Sequence, residues 1–173
     1  MLFSKAGHRR SSGRKRGERG ASLIEFALVI IPLLGLMFGI IAVSWIIFVQ
    51  NTIQEAVREG VRYGITGQTM SGKGLNDSIT QVVQNYSFGF LTQNPNCPNS
   101  NPQVAINYYS PSDLSTPISD ASADSGGNIL QVSVTGVNLC GVILIARPDA
   151  GITLSAAASD VMESSPSGGA PPL

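Results

Sequence analysis

The feature that most constrains this chain is a run of 24 residues, 26–49, without a single charged side chain. About 20 consecutive apolar residues are enough for a helix to cross the hydrocarbon core of a bilayer. The run therefore predicts one membrane-spanning helix. A secretory signal peptide is the alternative, but its apolar core is only about 7–15 residues long and is followed by a small-residue cleavage site.

The charges on the two sides of this run differ. Seven of the eleven Lys and Arg residues precede Gly20, namely Lys5, Arg9, Arg10, Arg14, Lys15, Arg16 and Arg19. Positively charged flanks of a span stay on the cytoplasmic side. We therefore expect residues 1–20 to be cytoplasmic and residues after about 50 to be exported. A basic cluster can also bind nucleic acid, but topology explains it more simply here, and we expect no nucleic-acid partner.

Four segments are predicted along the chain. They are a basic leader (1–20), a long helix (21–64, with the span at about 26–49), an exported domain (65–163) and a flexible tail (164–173). The helix is expected to continue beyond the bilayer and to end at Gly64 or Gly67. An apolar stripe supports this continuation, formed by Val49, Ile53, Val57, Val61 and Gly64. Two helices with a break near residues 50–52 are the alternative.

The exported domain is predicted to be small and of the α+β class. A helix is expected at 75–86 and strands at 104–109, 129–135 and 151–159, from their periodicities. The simplest arrangement is a three-stranded antiparallel meander with the helix packed across one face. Residues 111–128 are rich in Ser, Asp and Gly and read as a flexible connection. The state of the apolar run 142–146 is left open.

Two cysteines and one histidine limit the chemistry of the chain. Cys97 and Cys140 both lie in the exported portion, where an oxidising compartment favours a disulfide between them over two reduced thiols. The only histidine, His8, belongs to the leader, so no His-containing catalytic or metal site is expected outside. We predict no enzyme, no metal site and no cofactor, and we interpret the loop acids as solvated. These acids are Asp113, Asp120 and Asp124.

Glu25 lies directly before the apolar run and needs an explanation. A carboxylate at the centre of a membrane span costs about 2.5–3.5 kcal/mol, and such residues are usually functional. The alternative is a carboxylate that lies among the lipid headgroups. Gly35 and Gly39, inside the run, form a small-xxx-small step that permits close packing of helices, although such a step also arises by chance.

The segment from Gly20 to Phe26 resembles the processing site of type IV pilins and pseudopilins. More narrowly, the chain resembles the TadE-like proteins of tight-adherence (Flp-type) pilus systems. The resemblance is specific over residues 19–64 and weak over the final strand. The residues that carry it are Arg19-Gly20, Glu25-Phe26-Ala27-Leu28-Val29, Pro32, Gly39, Ala56-Val57-Arg58-Glu59-Gly60-Val61-Arg62-Tyr63, Ile152-Thr153-Leu154-Ser155-Ala156 and Met162-Glu163.

The resemblance implies a maturation step and a set of partners. A prepilin peptidase would cut between Gly20 and Ala21, which makes Glu25 the fifth mature residue. Glu25 and Phe26 would then act in assembly with other pilins and pseudopilins on an inner-membrane assembly platform. The expected function is that of a minor pseudopilin or pilus-assembly component, anchored in membrane lipid or incorporated in a surface pilus. The alternative is an uncleaved single-pass membrane protein that serves as a scaffold of the cell envelope.

Overall fold

Two helices and a four-stranded antiparallel sheet make up the computed structural model, which describes residues 18–92, 97, 100–120, 122–140 and 151–163. The predictions for 142–146 and 164–173 fall outside these residues, as does nearly all of the leader. The chain divides into two units, Met1–Ile41 and Ala42–Leu173. The second unit contains the sheet, the second helix and the last part of the first helix. These elements confirm the α+β class.

Helix α1 spans Glu18–Ile65 as a single element of 48 residues. The alternative of two helices is wrong, because residues 50–52 are helical. The helix ends where a glycine was predicted to stop it: Gly67 has a left-handed φ of 62° and donates its N–H to the Gly64 carbonyl at 3.0 Å. Pro32 lies within the helix.

Two ion pairs lie on the exposed side of the last turns of α1. Arg58 is 3.9 Å from Glu55, and Arg62 is 3.6 Å from Glu59. Both join residues three positions apart, and pairs of this kind contribute about 0.2–0.5 kcal/mol each. They favour the helical state of this segment without deciding how it packs.

The sheet has the strand order β2-β1-β3-β4, with all neighbours antiparallel. The strands are β1 (Gln103–Ser110), β2 (Asp113–Ile118), β3 (Ile129–Leu139) and β4 (Ile152–Val161). The three predicted strands are β1, β3 and β4, and they form the predicted meander.

The interpretation of residues 111–128 as a flexible connection is wrong for the part that forms β2. This strand makes a hairpin with β1, in which Tyr108 pairs with Ile118 and Tyr109 with Pro117. The side chains of β2 are exposed as far as Pro117. An edge strand that buries neither face shows no alternation of apolar and polar residues, and it tolerates a proline. The sequence of β2 therefore predicts a loop.

Strand β3 carries the alternation that defines the buried face of the sheet. Leu130, Val132 and Val134 are fully buried, and a β-bulge then inserts one extra residue before Val137. Gly136 occupies the bulge with φ of 76°, a conformation that favours glycine. The extra residue changes the inward positions from even to odd numbers, so Val137 remains on the buried face although the simple period of two is broken.

The core of the second unit joins this sheet face to helix α2 (Leu75–Tyr86) and to the apolar stripe of α1. Val49, Ile53 and Val57 on α1 have no exposed surface. From α2, Ile79 and Val83 enter the same cluster of buried residues. The stripe read from the sequence thus provides the helical side of a hydrophobic core.

Two glycines bring α1 close to its neighbours. A Cβ atom at Gly60 would collide with Val83 of α2, and one at Gly64 would collide with Leu130 of β3 and lie 2.7 Å from Cδ1 of Ile79. Gly64 therefore has a packing role in addition to its place near the end of the helix.

We expect Gly64→Ala to lower the free energy of unfolding by about 1–3 kcal/mol, because the added methyl group overpacks the core. The measurement is denaturant unfolding of the full chain in detergent micelles. Gly39→Ala is the matched control, since a Cβ atom at residue 39 meets nothing within 4 Å. Equal stability of the two variants would contradict the close approach at Gly64.

Candidate functional site

The predicted processing site lies at the beginning of α1. Gly20 is helical and exposed, and a Cβ atom built on it has no neighbour within 4 Å. Glycine in a helix costs about 0.5–1 kcal/mol relative to alanine. Neither the backbone conformation nor the packing of the described residues calls for glycine at this position.

Glu25 follows in the same helix, and its residue is exposed. It is the only charged residue between Gly20 and Glu55. The ion pairs among the described side chains both lie further along, at Glu55–Arg58 and Glu59–Arg62. Phe26, the neighbour of Glu25, is also exposed. Glu25 is therefore a solitary carboxylate at the edge of an apolar helical surface.

The apolar surface extends around the whole circumference of the helix. Most of the large apolar side chains from Leu23 to Phe48 are between 41% and 70% exposed, whereas Ile30 and Ile46 are half-buried. The exposed side chains in successive positions point in different directions, so no single face is covered along most of this segment; near its end, Ile46 packs against the core. A helix that is apolar all round requires an apolar environment on every side. Part of α1, Ser22–Ile65, is the one described helix that is long and apolar enough to cross a membrane.

The glycines of this segment differ from those near the end of the helix. A Cβ atom at Gly35 or Gly39 meets nothing within 4 Å, whereas one at Gly60 or Gly64 collides with the core. Packing against described residues of this chain thus explains why positions 60 and 64 are glycine, but it does not explain the glycines at 35 and 39. Close approach by a helix of another molecule stays a prediction for Gly35 and Gly39.

A disulfide joins Cys97 and Cys140 in the structure, with their Cα atoms 5.5 Å apart and a sequence separation of 43. Cys140 directly follows β3, so the bond links the end of this strand to the chain that follows α2. A cross-link of this separation stabilises a fold by restricting the unfolded chain.

We expect the protein to resist alkylation at both cysteines when it is denatured without reduction, as read by mass spectrometry. Reduction should lower the free energy of unfolding by about 3–4 kcal/mol, because the closed loop is long. The double variant Cys97→Ala/Cys140→Ala is the control for nonspecific effects of the reductant, since its stability should not respond to it. Labelling of both thiols before reduction would contradict the bond.

The three loop acids lie in two different environments. Asp113, which is the first residue of β2, and Asp120 are exposed: each accepts hydrogen bonds from the backbone and the hydroxyl of the serine two residues on. The Ser115 hydroxyl, with further bonds from Thr116 and the backbone, lowers the pKa of Asp113 to about 2. The Ser122 hydroxyl likewise lowers the pKa of Asp120. These bonds stabilise the local backbone conformation.

Asp124 is buried, so the interpretation of this acid as solvated is wrong. Its two carboxyl oxygens have no hydrogen-bond partner among the described residues, and burial raises its pKa. Burial, followed by the charge of Asp124, also raises the pKa of Tyr108 to about 12. The Tyr108 hydroxyl donates to Oδ1 of Asn76 at 2.6 Å. The pattern of the loop gave no signal for this burial, because the segment contains few apolar residues.

The described residues contain no group of three or more His, Cys, Asp or Glu side chains that could hold a metal ion. The described residues instead include an apolar helical segment with exposed side chains and a small α+β domain. The residues predicted to act in processing and assembly lie in the segment 20–64 rather than in a pocket of the domain.

Comparison with known families identifies this same segment. Residues 20–62 match the family model described as TadE-like protein. The match confirms the resemblance that the sequence indicated, over nearly the same residues. The comparison with curated proteins gives no match, and neither does the comparison with solved structures.

Proposed function

We propose that this protein is a minor pseudopilin of a tight-adherence pilus, processed after Gly20 and assembled through helix α1. The observation that carries the proposal is the TadE-like match over residues 20–62, which supports a role associated with pilus assembly. The function of a structural pilus component also requires no catalytic or metal-binding residues.

The glycine at position 20 supports the processing step. Since no described neighbour and no backbone constraint requires glycine there, recognition by another protein explains it best. A prepilin peptidase that accepts only the smallest residue before the scissile bond would impose this requirement. Cleavage would remove the basic leader and expose the α-amine of Ala21.

Glu25 supports the assembly step. It lies four residues after Ala21, which is about 6 Å along a helix axis. In an apolar environment an unpaired charge is strongly unfavourable, so a carboxylate at the edge of the span favours contact with a cation. The α-amine of a neighbouring subunit supplies this cation in the proposed filament. Such pairing would set the axial register between the subunits.

The exposed apolar surface from Leu23 to Phe48 serves both stages of this scheme. Before assembly the lipid chains cover it, and the positive leader keeps the N-terminal end in the cytoplasm. After assembly the helices of other subunits cover it, and the step at Gly35 and Gly39 permits a close approach. The α+β domain remains outside the cytoplasm throughout.

The proposed orientation, with the α+β domain outside the cytoplasm, predicts which reporter fusions are active. Alkaline phosphatase fused after Gln68, in the loop that follows α1, should be active, because this enzyme requires export. A β-galactosidase fusion at the same residue should be inactive, because it functions only in the cytoplasm. The two fusions control for each other's expression, and the reverse pattern would contradict the pseudopilin function.

Processing and assembly predict different effects for two substitutions. Gly20→Ala should leave an unprocessed precursor, seen by mass spectrometry of the N-terminus, although the added methyl group has space in the helix. Glu25→Val should leave membrane insertion intact, since the variant loses a carboxylate that costs energy in the span. It should nevertheless reduce the number of pili, because the partner of the Ala21 amine is absent, and Glu25→Asp should be intermediate.

Two controls separate these effects from general damage. Gly35→Ala also adds a methyl group without a clash and should be processed normally. Glu55→Val removes an exposed carboxylate beyond the apolar segment and should leave assembly unchanged. Normal pili with Glu25→Val, together with the absence of any chain that starts at Ala21, would favour an uncleaved envelope scaffold instead.

A further inference from the structure

Three aromatic rings meet where the apolar surface of α1 gives way to the buried stripe, and a fourth aromatic residue lies in the same turn as one of them. The ring of Phe90, from the turn after α2, lies 6.2 Å from Trp45 and 6.3 Å from Phe48, both on α1. The two α1 rings are 5.7 Å apart. Phe88 is in the same turn as Phe90. We call Trp45, Phe48, Phe88 and Phe90 the aromatic collar.

Three members of the collar, Trp45, Phe48 and Phe90, pack against one another but are open on their outer side. Trp45 is 47% exposed and Phe48 is 53% exposed, although Phe90 meets both of them edge to face with interplanar angles of 80°. Edge-to-face pairs of this kind fix the relative positions of the rings. The turn after α2 is thus attached to this part of α1.

Phe88 presents its ring outward in a conformation that is unfavourable for it. It is 82% exposed, and its φ of 50° is the only positive value among the described non-glycine residues. A bulky residue is rare in this region of backbone space. The turn is held by hydrogen bonds from the Phe90 N–H to the Ser87 carbonyl and from the Thr92 N–H to the Gly89 carbonyl, both 3.0 Å.

The position of the collar along the chain indicates what covers it. A helix that enters the hydrocarbon at Phe26 uses about 20 residues to cross it and leaves near Trp45. Val49, four residues later, has no exposed surface and belongs to the core of the domain. Tryptophan and tyrosine are enriched at the level where a span leaves the bilayer, which fits the position of Trp45.

We propose that the aromatic collar inserts into the interface of the bilayer that α1 spans, with Phe88 as a second point of attachment to lipid. The inference rests on the proposed membrane anchoring of α1. The collar then holds the end of α2 against the lipid surface, which fixes the depth of the domain and its rotation about α1. The partner is the headgroup and upper acyl-chain region of the membrane.

The test uses tryptophan as a depth probe, because Trp45 is the only tryptophan in the chain. The full chain is reconstituted into dioleoylphosphatidylcholine vesicles with and without phosphatidylcholine brominated on its acyl chains, which quenches nearby tryptophan. Three proteins are compared: the wild type, Trp45→Phe/Phe88→Trp and Trp45→Phe/Leu114→Trp. Leu114 is a matched control because it is an exposed apolar residue (63%) on the edge strand β2.

We expect the tryptophan at 88 to emit at shorter wavelength than the one at 114, to lose most of its emission with brominated lipid, and to resist acrylamide. The tryptophan at 114 should show the reverse. Quenching at 45 but not at 88 would overturn the collar proposal and leave the membrane anchor standing. Absence of lipid quenching at both 45 and 88 would contradict the anchor itself.

A protein partner gives a different result from lipid. If the tryptophan at 88 is shielded from acrylamide but is not quenched by brominated lipid, another copy of this chain covers Phe88, and the lipid proposal is wrong. Dilution of the protein in the vesicles checks this result, since shielding by a second copy decreases with dilution and shielding by lipid does not.

Discussion

The packing of the α1 stripe against the sheet and α2 is the interaction on which the domain depends. Val49, Ile53 and Val57 are fully buried there, and glycines at 60 and 64 allow the close approach. A small four-stranded sheet exposes one apolar face unless a helix covers it. This domain therefore has no complete core without the end of the helix whose earlier part is apolar and exposed.

The burial of one apolar side of each element in this core also explains which parts of the fold could be predicted from the sequence. Helix α2 and strands β1, β3 and β4 each bury one side, and their apolar residues recur with the corresponding period. Strand β2 has almost no buried side chain, so its sequence carries no such signal. The burial of Asp124 and the contact of Phe90 with α1 depend on tertiary packing between distant segments, which no local pattern records.

The residues of the candidate site were easier to identify from the sequence than the details of the domain fold. Gly20 and Glu25 stand out in the sequence, because Gly20 directly follows the basic leader and Glu25 is the only charged residue between Gly20 and Glu55. The TadE-like match covers the same segment. Their proposed partners are a peptidase and a neighbouring subunit, so the fold of a single chain contains neither. Among the described residues, the structure shows no packing reason for glycine at positions 20, 35 and 39, which have free space beside them, in contrast to Gly60 and Gly64.

The hydrogen bond between the Glu163 N–H and the Ile65 carbonyl, 3.0 Å long, has a mechanical consequence. It joins the end of α1 to the residues directly after β4, and the Gln50 side chain donates to the Ser155 carbonyl of the same strand at 2.9 Å. Tension along α1 therefore reaches the sheet through β4 directly, without first straightening the loops between them. Because β4 pairs with β3 over nearly its whole length, a load on β4 is shared by many backbone hydrogen bonds between these two strands.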